Sequence, residues 1–314
     1  MKILINEPDN YSEKAIRIYS KLGKILFPND LDKINKDGIE IIVIKLKYAI
    51  DKSFLKKFKN LKYIVSSTTG ITHIDTRYCK NKKIKLVKLD SSDPKLKFIT
   101  STAEFTFCLI LMSIRNAHKA FYDFKKNNLQ NRESYCGRST TGLVLGVIGY
   151  GRVGKKVTEI AKKFNMKVIV YEKDKKVIKL SKVSKINFVR ELKDIFLKAD
   201  IVSIHASYND SSNKNLIDKS LLINSTNCPY IINTSRGELI NEKDIIWALK
   251  KNFIKGIALD VIQDEYSSNP KIYDYIKNSQ NSNIIITPHL GGCTIEAMQL
   301  TEEIVAKKLY KFIR

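Results

Sequence analysis

The stretch LVLGVIGYGRVGKKVTEIAKKF, residues 143–164, runs from an apolar segment through Gly149, Gly151 and Gly154 into a helical pattern. Glycine is scarce, 13 in 314 residues, so three within six positions call for a physical reason. A GxGxxG alone matches unrelated turns by chance, but between a strand and a helix it has a mechanism. The first glycine makes the tight turn, the second lets the backbone approach a pyrophosphate, and the third permits close helix–strand packing. The N–H groups at the helix start, around Arg152 and Val153, then face the anion. The next apolar run, KVIVYE, ends on Glu172, 18 residues beyond Gly154. A carboxylate there accepts hydrogen bonds from an adenosine ribose, which favours NAD, although Lys173 follows and weakens the exclusion of a 2′-phosphate. The plain alternative is a solvated acid at a strand end.

Outward from this loop, short apolar runs alternate with helical spacing, the pattern of parallel α/β sheets. Residues 2–5, 39–46, 63–68 and 84–89 read as strands of a first series, with helices over 12–23 and 53–61. A long helix is expected over 101–126, where Ser101 and Glu104 have capping-box spacing. A polar stretch, 127–142, leads to strands at 143–148, 167–171, 200–204, 230–234, 255–260 and 284–287. An amphipathic helix over 294–313 closes the chain.

The length suggests two domains, and 43% hydrophobic with 28% charged residues is ordinary for a globular protein. No apolar run reaches the ~18 residues of a membrane helix, and the opening MKILINEPDN is not patterned as a signal peptide. Five scattered cysteines, never in CxxC spacing, argue for reduced thiols and against a zinc site. A net charge of +24 invites a nucleic-acid reading. Only nine of the 56 basic residues are arginine, and lysine is spread along the whole chain beside abundant Asn and Ile. That pattern fits an AT-rich coding bias better than a binding face, so no specific nucleic-acid partner is expected.

In an open parallel sheet, ligands sit beyond the carboxyl ends of the strands. The strand ends of the second series lead into His205, then Arg236 with Gly237, then Asp260, then His289, with Glu265 just past Asp260. A lone histidine beside an apolar run is commonly structural; uncommon polar residues recurring at one edge argue otherwise. Hydride transfer to an α-keto acid needs a cationic fork for the carboxylate, which Arg236 supplies. It also needs a proton donor titrating near neutrality, which His289 supplies, and Glu265 would orient that imidazole.

Through GVIGYGRVG, INTSRGELIN, ALDVIQDE and TPHLGGCT the sequence resembles the D-2-hydroxyacid dehydrogenases, the group of D-3-phosphoglycerate, D-lactate and glyoxylate/hydroxypyruvate enzymes. The resemblance covers nearly the whole chain. It implies an NAD-binding Rossmann domain, 98–288, inserted into a flavodoxin-like α/β substrate domain of 1–97 and 289–314, with a hinge between. It makes Arg236 the substrate-binding residue, Glu265 the partner of His289, and His289 the acid/base. Asp260 would bind the nicotinamide carboxamide, and His205, Ala206 and Thr234 would line the cofactor with the glycine loop and Glu172. STTGITHID resembles the substrate loop, in which the amides of Thr69 and Gly70 receive the substrate carboxylate. Thr68, Thr72 and His73 depart from the family pattern there, as do ASYND after His205 and Asn241 where aspartate is usual. Lys45 or Lys47 would bind a distal phosphate or carboxylate, the alternative being solvated lysines. The resemblance also implies a homodimer formed through the 102–126 helix, and the scattered thiols point to a cytoplasmic setting. Two other readings are a dinucleotide-sensing, corepressor-like interaction protein, and a related dehydrogenase oxidising phosphite.

Overall fold

Five parallel strands, β1 (Lys2–Ile5), β2 (Lys24–Leu26), β3 (Ile39–Ile44), β4 (Tyr63–Ser66) and β5 (Lys85–Lys88), form one sheet in the order β2-β1-β3-β4-β5. Seven more form a second parallel sheet: β6 (Val144–Ile148), β7 (Lys167–Tyr171), β8 (Asn187–Phe188), β9 (Ile201–Ile204), β10 (Tyr230–Asn233), β11 (Gly256–Leu259) and β12 (Ile284–Ile286). Their order is β12-β11-β10-β9-β6-β7-β8. The first order is that of flavodoxin-type sheets and the second that of a Rossmann sheet with one strand added. The computed structural model describes residues 1–30, 36–128, 131–181, 185–267, 270–278 and 283–314. The chain divides into one unit of Met1–Ile99 with Gly292–Arg314, and another of Thr100–Gly291.

In the first unit the alternation of the strands feeds two cores. Ile3, Ile5, Ile41 and Val43 pack with Tyr11, Ala15 and Tyr19, and with Ile304, Val305 and Leu309 of the closing helix. Leu4, Ile39, Ile42 and Ile44 face the opposite core with Leu55, Ile74 and Cys79. Both faces are covered, which is why these runs read as continuous apolar segments rather than as alternating ones. Helix α1 (Glu13–Ser20) starts on Ser12, whose hydroxyl accepts from the Ala15 amide. Helices α2 (Lys52–Leu55) and α3 (Thr76–Asn81) begin on Asp51 and Asp75 in the same way.

In the second unit, Leu145, Val147, Ile232 and Ala258 pack with Ala103, Phe107, Ile110, Val157 and Ala161. Ile148, Ile204, Ile231 and Leu259 face Ile195, Phe196, Ile245 and Leu249 on the other side. A Cβ on Gly146 would stand 2.5 Å from Ile195, so glycine lets the helix Lys193–Lys198 settle against the sheet.

The expected strands are present, but β2 and β8 were not anticipated; each is an edge strand of three or two residues, too short to carry a periodic signal. The expected 53–61 helix is only the four-residue α2. The expected long helix is two: α4 (Ser101–Ile114) and α5 (Ala117–Lys125), separated by Asn116 at φ 52°. Asparagine tolerates this left-handed conformation, which ends one helix and re-aims the next. The capping box does not form: Thr100 bonds its hydroxyl to Glu104, and the Ser101 hydroxyl is buried without a partner. The segment Pro94–Ile114, a short 3-10 turn followed by α4, holds an 18-residue window of mean hydropathy 1.4, a composition that the core helix of a globular domain shares. α4 packs against β10, β11 and the helix after the glycine loop. All five cysteines are unpaired, and residues 129–130 of the expected polar connector lie outside the described ones.

Candidate active site

Register brings the second unit's strand ends into one row. Ile148 pairs with Ile204, Ile204 with Asn233, Asn233 with Leu259, and Leu259 with Ile286. The following residues, Gly149, His205, Thr234, Asp260 and Thr287, therefore line the carboxyl edge, where such sheets bind ligands.

At the left of this row is the glycine loop. Gly149 has φ +92°, and a Cβ there would stand 2.7 Å from the Ala206 amide nitrogen. A Cβ on Gly154 would meet the Gly149 carbonyl oxygen at 2.1 Å, whereas around Gly151 there is open space. Gly151 leads directly into α6 (Arg152–Lys163), whose first turn has no side-chain cap. Open backbone, uncapped N–H groups and the helix dipole fit the pyrophosphate of a dinucleotide. Glu172, at the end of β7, accepts the amides of Tyr150 at 2.7 Å and Asp174 at 2.8 Å. It is tied into the glycine loop rather than simply solvated.

His205 donates its amide to the Ile148 carbonyl at 2.7 Å, and its Nε2 pairs with the Ser203 hydroxyl at 2.8 Å. Nδ1 is buried with no hydrogen bond among the described residues, and burial pushes the imidazole down to about 3, so the ring is neutral at physiological pH. Thr234 turns its hydroxyl to Thr106 of α4, 2.7 Å away, leaving its backbone as what faces the edge.

Arg236 is set by Asn233, which sequence reasoning passed over, and by Gly237, whose packing role the sequence did not show. Buried Asn233 donates to the Arg236 carbonyl at 2.9 Å and accepts the Ser235 amide and hydroxyl, each at 3.0 Å, folding the chain back at the strand end. Gly237 packs so closely that a Cβ would lie 2.0 Å from the Ile262 carbonyl carbon, seating the arginine loop on the Glu265 loop. The Asn-x-Ser order was the available signal for the first, since asparagine closes such turns; the second needed three-dimensional contact. Asn241 accepts from the Asp244 amide and starts the helix Glu242–Lys250, a capping role that asparagine fills as well as aspartate.

His289 Nδ1 lies 3.2 Å from both Glu265 oxygens, each side chain 22% exposed. His289 holds φ 56°, a left-handed conformation uncommon for a residue with a Cβ. Asp260 is 1% exposed, and its carboxylate accepts from Thr287, Leu290 and Gly291. It is thus largely engaged within the protein, and the nicotinamide contact expected of it competes with three existing bonds.

In the first unit, the Thr68 hydroxyl bonds the Gly70 carbonyl at 2.7 Å, and the Lys88 ammonium bonds that of Thr69 at 3.4 Å. The amides of Thr69 and Gly70 make no hydrogen bond among the described residues. The two lysines part company. The Lys45 ammonium is engaged inside the protein, 3.0 Å from buried Glu302 and 2.8 Å from the Asp9 carbonyl. Lys47 is 56% exposed and only 3.6 Å from Asp9, a loose surface pair. Glu7 pins the loop by accepting both backbone amides, Lys45 at 3.1 Å and Lys47 at 3.0 Å. His73 is buried beside the loop.

A family model, the NAD-binding domain of D-isomer specific 2-hydroxyacid dehydrogenases, matches residues 107–291. A Staphylococcus saprophyticus protein carrying a 2-hydroxyacid dehydrogenase name is 31% identical over 276 residues, 86% of this chain and 82% of that one. D-3-phosphoglycerate dehydrogenase of Methanocaldococcus jannaschii is 28% identical across 100% of this chain, which spans 58% of that enzyme's length. Among solved structures, D-lactate dehydrogenase of Aquifex aeolicus, complexed with NAD and lactic acid, superposes with a TM-score of 0.75. It covers 99% of this chain and 95% of its own at 24% identity, a likeness of fold.

Proposed function

The chain belongs to the D-isomer specific 2-hydroxyacid dehydrogenase family and is an NAD-dependent enzyme; on that premise we propose that His289, Glu265 and Arg236 carry its interconversion of a D-2-hydroxy acid and the 2-keto acid. The observation that carries this reading is the His289–Glu265 pair, set on the same sheet edge as the glycine loop. Bound NAD supplies or accepts the hydride. Arg236 holds the substrate carboxylate with its planar fork. His289, with Nδ1 turned to Glu265, gives a proton from Nε2 to the carbonyl oxygen in reduction and takes it back in oxidation. Glu265 fixes the orientation of the ring. The glycine loop holds the pyrophosphate, Glu172 the ribose, and the backbone at His205, Ala206 and Thr234 the flank of the cofactor. Thr69 and Gly70 offer amides to the substrate carboxylate.

For the substrate tail, exposed Lys47 favours 3-phosphoglycerate, whose distal phosphate it would meet, over the hydroxypyruvate/glyoxylate pair, which carries no distal anion. The name of the Methanocaldococcus relative points the same way. An intact acid–base pair is what a dinucleotide-sensing, corepressor-like protein would not require, and nothing in the site favours phosphite. NADH oxidation at 340 nm against glyoxylate, hydroxypyruvate, phosphohydroxypyruvate and pyruvate tests the reading. Turnover of a phosphorylated acid that Lys47→Ala weakens through KM supports the anionic tail; preference for pyruvate overturns it.

The enzyme acts as a cytoplasmic homodimer in this reading. An apolar groove of 670 Å³ lined by Phe107, Leu111, Met112 and Ile160 runs along α4, and α5 beside it buries no residue. Phe121 and Phe124 are each 66% exposed there, an apolar surface that pairing would cover. Sedimentation of wild type and Phe121→Ser/Phe124→Ser checks this; a wild-type monomer would refute it.

A further inference from the structure

Three successive amides converge on one residue at the end of β11. The His289 amide donates to the Asp260 carbonyl at 2.9 Å, and those of Leu290 and Gly291 donate to Asp260 Oδ1 and Oδ2, each at 2.7 Å. The Asp260 side chain is thereby the template on which the His289 turn is wound. Left-handed backbone at a residue with a Cβ persists only where its surroundings hold it. These two hydrogen bonds, one to each oxygen, set the carboxylate relative to the turn but do not tie it to the neighbouring strand.

The remaining restraint is Thr287. Its hydroxyl donates to Asp260 Oδ1 at 2.6 Å, from the residue immediately after β12. Thr287 is itself anchored, its amide bonding the Leu259 carbonyl at 3.0 Å. The hydroxyl thus ties the edge of β12 to the carboxylate at the end of β11 and fixes the plane that receives the turn. Gly291 completes the fit, because a Cβ there would lie 3.0 Å from Oδ2 and 3.2 Å from Thr102.

We infer that Thr287 is a positioning residue for catalysis, its hydroxyl holding the Asp260 carboxylate in the orientation that winds the His289 turn and aims the imidazole. The inference rests on the proposed acid–base role of His289. Thr287 touches neither Glu265 nor the glycine loop by any hydrogen bond among the described residues, so its loss leaves the pyrophosphate and ribose contacts in place and acts through Asp260 alone.

The test compares Thr287→Val, Thr287→Ala and Thr287→Ser with the wild type, using the keto acid that turns over best. Val keeps the shape and removes the hydroxyl, Ala removes both, and Ser restores the hydroxyl. Misplacing a catalytic group by about 1 Å costs roughly 100-fold in rate, so kcat is expected to fall about 10- to 100-fold in Val and Ala. NADH affinity, read by fluorescence, should fall less than kcat does, and Ser should recover most of kcat. Melting temperature separates this from unfolding; if Val does not fold, Ala and Ser carry the comparison. Wild-type kcat in a variant lacking the hydroxyl, or no recovery in folded Thr287→Ser, overturns the inference. His289→Gln run alongside keeps the two readings apart: if that variant retains activity, the acid–base role itself fails, whatever Thr287 does.

Discussion

His289 Nδ1 stands equidistant, at 3.2 Å, from the two oxygens of Glu265. A ring held this way on one nitrogen leaves Nε2 for chemistry. The arrangement predicts separable losses. His289→Gln removes the proton carrier, and kcat should fall by ~10²–10⁴, the usual worth of general acid–base help. Glu265→Gln keeps the shape but loses the charge, and a smaller fall of roughly tenfold to a hundredfold is expected on the same scale. Both should bind NADH like the wild type in a fluorescence titration. Equal, full activity in Glu265→Gln would show that the pair is structural.

The close seat of Gly237 on the Ile262 carbonyl gives a second prediction. A methyl group there has a backbone atom at 2.0 Å, which cannot move aside as a flexible side chain can. Gly237→Ala must therefore push the Arg236 loop away from the Glu265 loop. Melting temperature should drop and KM for the keto acid should rise; an unchanged KM would mean that the arginine loop tolerates the shift.

Most of this site was legible before any coordinates, and the reason is the regularity of parallel sheets. Once the runs ending near Ile148, Ile204, Asn233, Leu259 and Ile286 are strands in register, the residues after them must share an edge. Gly149, Arg236 and His289 follow from chain order alone. What was not legible lies in relations between distant segments. Lys45 reads like Lys47 in sequence, yet one is drawn into Glu302, 257 positions away, and the other is left outside. Asp260 reads like a ligand contact, and its carboxylate turned out to be engaged by the 287–291 segment. The break at Asn116 was hidden because apolar spacing continues across it, while a single left-handed residue leaves no periodic trace.

The glycines of the phosphate loop separate folding from binding. Around Gly151 a Cβ meets nothing within 4 Å, so Gly151→Ala should fold and melt like the wild type. That methyl would stand where the backbone is open to the pyrophosphate, and NADH should bind more weakly, about tenfold or more for a lost charge-assisted contact of ~1.5–3 kcal/mol. Gly154→Ala instead meets the Gly149 carbonyl at 2.1 Å and should lower the melting temperature even without cofactor. If Gly151→Ala binds NADH as tightly as the wild type, the loop does not hold the pyrophosphate at that position.

Burial of His205 ties stability to pH in a calculable direction. Its imidazole falls from the usual 6.5 to about 3 in the folded chain, because burial disfavours the charged ring. Between those values the unfolded chain binds a proton that the native chain refuses, so stability is full above pH 6.5 and is lost as pH falls toward 3. At 1.36 kcal/mol per unit, the loss by pH 5 is about 2 kcal/mol. His205→Gln carries no such proton. The melting temperature of the cofactor-free wild type should therefore fall further than that of the variant between pH 7.5 and pH 5. Parallel decline of the two proteins would place the acid sensitivity elsewhere, and would mean that the ring reaches solvent readily enough to titrate without cost.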